Sequence, residues 1–117
     1  MGKLTTHVLD IARGKPAAGV RVELFKFSGQ GRVQLKSVET DADGRCGEPL
    51  LQLCEFALGQ YELAFHIADY FRRHLVPLSD PPFFDVVVIR FAIADMVQHY
   101  HVPLLVSPWS YSTYRGS

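Results

Sequence analysis

Short runs of alternating apolar and polar residues, broken by Gly, Pro and Asp, most restrict what this chain can fold into. In QYELAFHI a period of two places four large apolar residues on one strand face: Tyr61, Leu63, Phe65 and Ile67. Similar runs recur along the sequence, and no repeat or low-complexity segment interrupts them. The pattern predicts an all-β protein.

The alternation changes phase within GVRVELFKF. Val20, Val22 and Leu24 alternate with charged residues, after which Phe25 and Phe27 become the apolar positions. A β-bulge, or burial of the strand on both faces, explains such a slip.

The segment FFDVVVIRFAI is apolar on both faces as far as Arg90. A sheet with one face in water does not need the second apolar row, which holds Val86 and Val88. These two valines therefore predict burial against another subunit.

One segment has helical rather than strand periodicity. IADYFRRHL places Arg72 and Arg73 opposite an apolar side formed by Ile67, Tyr70, Phe71 and either His74 or Leu75. The sequence predicts one short helix here, ended by Pro77.

Length and charge limit the partners. A chain of 117 residues fits a single domain, which we expect to span residues 1–117. Twelve basic residues balance twelve acidic ones, so no strong field attracts nucleic acid, and we expect no nucleic-acid partner. Near-zero net charge also favours self-association.

Cysteine usage indicates a reducing compartment. Cys46 and Cys54 are too few for a disulfide framework and do not form a Cys-x-x-Cys pair. The sequence contains no apolar run long enough to span a bilayer and no recognisable secretory leader. We therefore expect a cytoplasmic protein without a membrane partner.

Three of the five histidines lie in predicted strands and are candidates for proton transfer or metal binding: His7, His99 and His101. His7 in LTTHVLD shares a predicted strand face with Thr5 and Leu9, and it is also compatible with a half-buried structural histidine. In HYHVPLLVSP, His99 and His101 point together, away from an apolar face. Such a pair suits proton transfer or zinc, but a zinc site requires a further ligand, for which the spacing offers no candidate.

The segment TDADGRC begins like a calcium-binding loop. The glutamate that should close such a loop is replaced by Gln52, so calcium is excluded. Asp-Gly instead predicts a tight turn followed by Arg45. An arginine here is either solvated or, if it lies beside a histidine, suited to holding an anion. No Gly-x-Ser-x-Gly elbow is present, which disfavours a serine hydrolase.

Three motifs in order carry a resemblance to a known family. LTTHVLD, TDADGRC and HYHVPLLVSPWSYSTYRGS resemble the corresponding parts of the 5-hydroxyisourate hydrolases, the transthyretin-related proteins of urate breakdown. The resemblance spans nearly the whole chain. Plasma transthyretin is similar in SPWSYST but lacks the histidine motifs and the tetrapeptide YRGS.

The resemblance implies both fold and activity. It implies a transthyretin-like sandwich of two antiparallel sheets with one short helix, assembled as a homotetramer with sites at the dimer–dimer interface. It also implies hydrolysis of 5-hydroxyisourate to 2-oxo-4-hydroxy-4-carboxy-5-ureidoimidazoline, without a metal or other cofactor. The motifs imply that His7, Arg45 and His101 are catalytic and that Tyr114 and Ser117 bind substrate.

Proton chemistry is compatible with these implied roles, but it does not show which histidine has which role. His7 is the preferred general base and His101 the residue that orients substrate and stabilises charge, but the two roles can be exchanged. Two other functions remain open: a non-catalytic carrier of a small aromatic ligand, and a metal-binding protein that uses His99 and His101.

Overall fold

The computed structural model describes residues 1–116. A short 3₁₀ turn, Leu53–Glu55, precedes β5. The helix and strands, in chain order, are β1 (Leu4–Asp10), β2 (Lys15–Pro16), β3 (Arg21–Ser28), β4 (Gly31–Glu39), β5 (Gly59–His66), α1 (Ile67–Arg73), β6 (Val86–Ile93), β7 (Tyr100–Val106) and β8 (Tyr111–Thr113).

The strands form two four-stranded sheets, with orders β2-β1-β7-β8 and β4-β3-β5-β6. This arrangement confirms the predicted all-β, transthyretin-like sandwich with one short helix. One detail differs from two purely antiparallel sheets, because β1 and β7 run parallel. Parallel pairing requires a long connection, and the entire second sheet lies between these two strands in the sequence.

Strand periodicity identified the core correctly. Leu63 and Phe65 of β5 are fully buried, as are Val8 of β1 and Leu104 of β7. Side chains at alternate positions of each strand point to one face, so both sheets direct an apolar row into the space between them. On β1 and β7 the remaining residues therefore point outward, and His7 and His101 are among them.

A β-bulge lies beside the phase slip, but it is in β4 and leaves the pairing of β3 with β5 regular. Leu24 pairs with Lys36, whereas the next residue, Phe25, pairs with Gln34, so Leu35 of β4 is the extra residue. The bulge thus lies in the strand next to the one whose sequence showed the slip. Such an insertion bends its strand and increases the local twist.

The phenylalanines of β3 are sheltered on the outer face of their sheet by arginines. The Arg32 guanidinium lies 3.9 Å from the centre of the Phe25 ring, and Arg90 lies 4.8 Å from that of Phe27. Both arginines also form ion pairs with the buried carboxylate of Glu62. Cation–π contacts and a paired charge therefore cover apolar surface without a second protein layer.

The predicted helix is confirmed as α1, whose buried residues include Ile67, Tyr70 and Phe71. Neither candidate for the fourth apolar position is buried. Leu75 is 89% exposed and has a φ of 57°, so the backbone leaves the helical conformation before it. His74 is exposed as well, although its ring lies 4.5 Å from that of Tyr70.

A buried hydrogen bond connects α1 to the end of β1. The Tyr70 hydroxyl donates to Asp10 Oδ2 at 2.7 Å, and Asp10 Oδ1 accepts the backbone N–H groups of Ala12 and Arg13. Burial, together with the Asp10 carboxylate, raises the pKa of Tyr70 to about 12. The phenol therefore remains a donor at neutral pH, and the contact holds the helix against the first sheet.

Val86 and Val88 of β6 are 36% and 45% exposed in the isolated chain. Their burial against another subunit stays a prediction. Across residues 1–116, none of the helical segments has the length and apolar character needed to cross a membrane.

Candidate active site

Two of the predicted catalytic residues lie on neighbouring strands of the first sheet. In the parallel pairing of β1 with β7, Thr5 is opposite His101 and His7 is opposite Pro103. His7 and His101 are therefore offset by two residues along the pair and share the outward face of the sheet. The pairing is set by strands almost a hundred residues apart in the sequence.

Arg45 is brought to the same site by the turn that the Asp-Gly sequence predicted. Asp41 Oδ1 accepts the backbone N–H groups of Asp43 and Arg45, at 2.9 and 3.1 Å. Gly44 has a φ of 75°, and a Cβ on it would lie 2.3 Å from the Val8 carbonyl oxygen. Only glycine fits there, because both the backbone conformation and the space exclude a side chain.

This turn joins β1 by an isolated bridge between His7 and Arg45 rather than by a continuous strand. Arg45 follows the turn without belonging to a strand, and the bridge places it next to His7. The Val8 N–H donates to the Gly44 carbonyl oxygen at 2.8 Å and ties the turn to β1. Arg45 is exposed and available to a ligand.

The turn also determines which nitrogen of His7 carries the proton. His7 Nε2 lies 2.8 Å from the backbone carbonyl oxygen of Asp43. A carbonyl oxygen can only accept, so Nε2 is the protonated nitrogen. In neutral His7 the lone pair consequently resides on Nδ1, the atom that could take a proton from water.

His101 has an unusual electrostatic environment. Burial lowers the pKa of His101 from its ordinary value of 6.5, and the nearby charges of Arg45 and His7 lower it further. A backbone hydrogen bond with Thr5 acts in the opposite direction. The lowered pKa favours a neutral His101 ring. The strand pairing and the bridge between His7 and Arg45 place all three predicted catalytic residues at one face.

The segment after β8 folds back along the start of β7. The Gly116 N–H donates to the His101 carbonyl oxygen at 2.8 Å. The Arg115 guanidinium donates to Gln98 Oε1 at 2.6 Å and stacks over the ring of Tyr100 at 4.2 Å from its centre. These contacts hold the tetrapeptide motif in place as far as residue 116.

Tyr114 is not brought into the histidine cluster within one chain. It is 60% exposed and lines a separate crevice of about 220 Å³, whose walls include Ile89 and Val102. Val102 and His101 are adjacent in β7 and therefore point to opposite faces of the sheet. Ser117, the other predicted substrate-binding residue, lies outside the described residues.

A depression of about 110 Å³ lies beside Arg45, and its walls include Thr5, Cys46 and Glu48. Burial and the charge of Asp41 raise the pKa of the Cys46 thiol. The thiol is therefore neutral at physiological pH, which makes it a poor nucleophile. The ionisable groups suited to chemistry here are the histidines and the arginine.

Within residues 1–116, the His, Cys, Asp and Glu side chains form no group of three or more that could hold a metal ion. His99, the partner required by the metal hypothesis, accepts the Lys3 backbone N–H at Nδ1 over 3.1 Å. Its exposed ring thus has a backbone partner near the beginning of β1.

Sequence reasoning missed Thr5 and Gly116, both of which contact the His101 ring. Thr5 Oγ1 lies 2.8 Å from His101 Nδ1, and a Cβ on Gly116 would lie 2.6 Å from His101 Cδ2. The period-two pattern did place Thr5 on the face of His7. No local pattern in the sequence indicated the parallel register that places Thr5 opposite His101.

The protein is thus a β-sandwich that carries two histidines, with an arginine beside them, on the outer face of one sheet. The model of the HIUase/Transthyretin family matches residues 4–116. The chain belongs to this family.

Individual relatives agree with that membership. The chain is 56% identical over 117 residues to a 5-hydroxyisourate hydrolase of Ralstonia nicotianae, with all of both chains covered. It resembles the structure of Klebsiella pneumoniae 5-hydroxyisourate hydrolase with a TM-score of 0.81, 35% identity and full coverage of both chains. Sea bream transthyretin in complex with thyroxine gives a TM-score of 0.87 and 28% identity, over 97% of this chain and 94% of that one.

Proposed function

We propose that this protein is an enzyme that hydrolyses 5-hydroxyisourate to 2-oxo-4-hydroxy-4-carboxy-5-ureidoimidazoline in urate breakdown. The observation that carries the proposal is the meeting of His7, Arg45 and His101 at one face of the β1–β7 pair. The 56% identity to the Ralstonia nicotianae hydrolase over the whole chain supports the choice of substrate.

The reaction needs three kinds of group. Water adds to a carbonyl carbon of the six-membered ring, and its proton passes to a base as the new C–O bond forms. The ring C–N bond then breaks, and the leaving nitrogen receives the proton. The product carboxylic acid ionises. A base that later acts as an acid, together with donors for the transient oxyanion, is therefore sufficient.

His7 is the general base in this proposal. Its Nε2–H is held by the Asp43 carbonyl oxygen, which leaves the Nδ1 lone pair for the attacking water. A histidine suits this step because imidazole takes and releases protons near neutral pH. After the C–N bond breaks, the same ring can return the proton to nitrogen.

His101 orients the substrate as a neutral hydrogen-bonding group. A protonated ring would stabilise negative charge more strongly, but burial and the Arg45 charge lower the pKa of His101 and oppose protonation. Arg45 therefore holds the anionic substrate and polarises the carbonyl under attack, since its planar fork presents several donors. The roles of the two histidines can still be exchanged, and the variants described in the Discussion distinguish them.

Tyr114 and Ser117 close the pocket and donate hydrogen bonds to the substrate. Small displacements of such groups are costly, because catalysis depends on a reactive geometry. No metal or organic cofactor takes part in the proposed reaction.

The complete site is formed in a homotetramer, at the interface between dimers. Pockets for small molecules generally have volumes of about 300–1,000 Å³, and the depression beside Arg45 is smaller, at about 110 Å³. A second chain that covers the outward face of the β1–β7 pair would deepen the pocket and could bring in Tyr114. Val86 and Val88 on the edge strand β6 offer further apolar surface for assembly.

The cytoplasm is the proposed location, because both cysteines are free thiols and a reducing compartment maintains that state. Substrate and product are small molecules, so neither nucleic acid nor a membrane is required as a partner.

The alternative function is a non-catalytic carrier. The sea bream transthyretin with which this chain shares its fold was solved with thyroxine bound. A carrier of an aromatic ligand has no need of two imidazoles and a guanidinium at one face, which is why the enzymatic function is preferred.

The deciding experiment follows freshly generated 5-hydroxyisourate by ultraviolet absorbance, with and without the protein. We expect the protein to accelerate its decay in proportion to protein concentration. Unchanged decay in the presence of a confirmed tetramer would contradict the enzymatic proposal, and saturable binding without turnover would favour the carrier.

A further inference from the structure

The His101 ring is held from two opposite sides. On one side Thr5 Oγ1 lies 2.8 Å from Nδ1, because the parallel register places Thr5 beside His101. On the other side Gly116 packs so tightly that a Cβ there would lie 2.6 Å from Cδ2. Nδ1 and Cδ2 are both bonded to Cγ, so these contacts flank the ring and leave Nε2 at its outer end.

The contact with Thr5 occupies Nδ1 of His101 and leaves Nε2 for the substrate. A hydroxyl can donate or accept, so the distance alone allows either tautomer. If the hydroxyl accepts, the proton lies on Nδ1 and the lone pair on Nε2. A ring in that state can exchange a proton with the substrate or with water, which suits a histidine of a hydrolytic site.

We propose that Thr5 is a positioning residue, whose hydroxyl accepts the Nδ1–H of His101 and directs the Nε2 lone pair toward the substrate. This inference deepens the proposed hydrolase function and rests on it. Thr5 contacts no reacting atom and acts only through the ring of His101. Gly116 supports the same orientation by leaving no space for the ring to turn away.

Thr6 provides a matched control on the same strand. Its Oγ1 donates to the Val102 carbonyl oxygen at 2.6 Å, and the residue is buried on the opposite face of β1. Thr6→Val therefore removes one hydroxyl and one hydrogen bond to β7, as Thr5→Val does, without touching the His101 ring.

The test that does not depend on activity is nitrogen NMR of protein labelled with ¹⁵N-histidine, at alkaline pH, with His101 assigned by comparison with His101→Asn. We expect the wild-type His101 ring to be protonated at Nδ1. In Thr5→Val the population should shift toward the Nε2–H form, whereas Thr6→Val should match the wild type. A wild-type ring protonated at Nε2, or an unchanged tautomer in Thr5→Val, would overturn the proposal.

Kinetics provide the second readout. For Thr5→Val we expect kcat to fall roughly tenfold or more, because a misdirected ring loses its reactive geometry, with a much smaller change in KM. Thr5→Ser keeps the hydroxyl and should restore most of kcat. Near-wild-type kcat in Thr5→Val, which keeps the bulk of threonine, would show that the hydroxyl does not matter. Equal losses of kcat in Thr5→Ser and Thr5→Val would show that a hydroxyl does not suffice to position the ring, and either result would contradict the proposal.

The two readouts separate this inference from the proposed function. A protein without hydrolase activity but with an Nδ1-protonated His101 that responds to Thr5→Val would refute the function and retain the contact. If the enzyme is active and Thr5→Val changes neither the tautomer of His101 nor kcat, only the role of Thr5 is refuted.

Discussion

His7 donates its Nε2–H to the backbone carbonyl oxygen of Asp43 at 2.8 Å. The acceptor belongs to the same turn that presents Arg45, and the Asp41 carboxylate organises that turn. One local structure therefore sets both the protonation of the proposed base and the position of the proposed anion-binding group.

Replacement of either histidine by asparagine should remove most activity. Proton transfer by a positioned side chain contributes a rate factor on the order of a hundred- to ten-thousand-fold. We therefore expect kcat/KM of His7→Asn to be lower than that of the wild type by a factor in this range. His101→Asn should lose mainly the orientation of the substrate. Steady-state kinetics on variants confirmed as folded and in the same oligomeric state as the wild type provide the measurement, and near-wild-type turnover in both would refute the assignment.

The two histidine variants also distinguish their roles. If His7 is the base, the rate of His7→Asn should recover with added small-molecule imidazole more than that of His101→Asn. The opposite order of recovery would exchange the roles.

Arg45→Lys keeps the positive charge but removes the planar fork of donors. We expect kcat/KM to fall roughly ten- to hundredfold, because a single ammonium group cannot hold the substrate in the same geometry. Arg72→Lys is a matched control, since Arg72 is an exposed residue of α1 paired with Asp69. If lysine at position 45 works as well as arginine, the residue acts only through its charge.

Activity should decrease in mild acid because a neutral His101 is required. Burial and the charges of Arg45 and His7 place the pKa of His101 below 6.5, so protonation occurs as the pH falls through that lowered value. Arg45→Gln removes a positive charge and should raise the pKa of His101, whereas Arg45→Lys should leave it low. A proton NMR titration of the ring measures the difference, and equal pKa values in both variants would contradict it.

The same lowered pKa has a consequence for stability. The unfolded chain binds a proton at His101 near pH 6.5, whereas the folded protein resists doing so. The contribution of this residue to the free energy of unfolding is therefore present above pH 6.5 and is lost as the pH falls toward the lower folded-state pKa. Denaturant titrations of wild type and His101→Asn should show a smaller acid-dependent loss in the variant.

Deletion of Tyr114 to Ser117 should reduce activity far more than the melting temperature. The described residues of this segment are largely exposed, yet Gly116 bonds to the His101 backbone. Loss of the segment should therefore displace His101 while leaving the core unchanged. Calorimetry and kinetics on the same sample provide the comparison. A large fall in melting temperature with a proportionate fall in activity would indicate a purely structural role.

Extended dialysis against a chelator should leave activity unchanged, because the proposed mechanism assigns every step to side chains and water. Activity that is lost and then restored by zinc would revive a metal role for His99 and His101.

Much of the fold was predictable because its signals are local. Alternation identified the inward face of β5, and helical spacing located α1. The change of phase in β3 reflects apolar residues on its outer face, Phe25 and Phe27, which arginines cover, while the bulge itself lies in β4. The helix ends at Arg73, before the predicted stop at Pro77, and the backbone turns away from the helical conformation at Leu75. Periodicity reports which residues face inward, and it does not report where an element stops.

Local sequence was enough to indicate the face that Thr5 and His7 share, the outward placement of His101, the glycine turn before Arg45 and the motifs of the family, since each depends on near neighbours in the chain. Only the tertiary structure decided that β1 and β7 pair in parallel, that Thr5 meets His101, and that Tyr114 lies in a different crevice. These relationships join residues up to 96 positions apart. Their register depends on how two complete sheets pack, because shifting a strand by one residue would turn its buried face toward water.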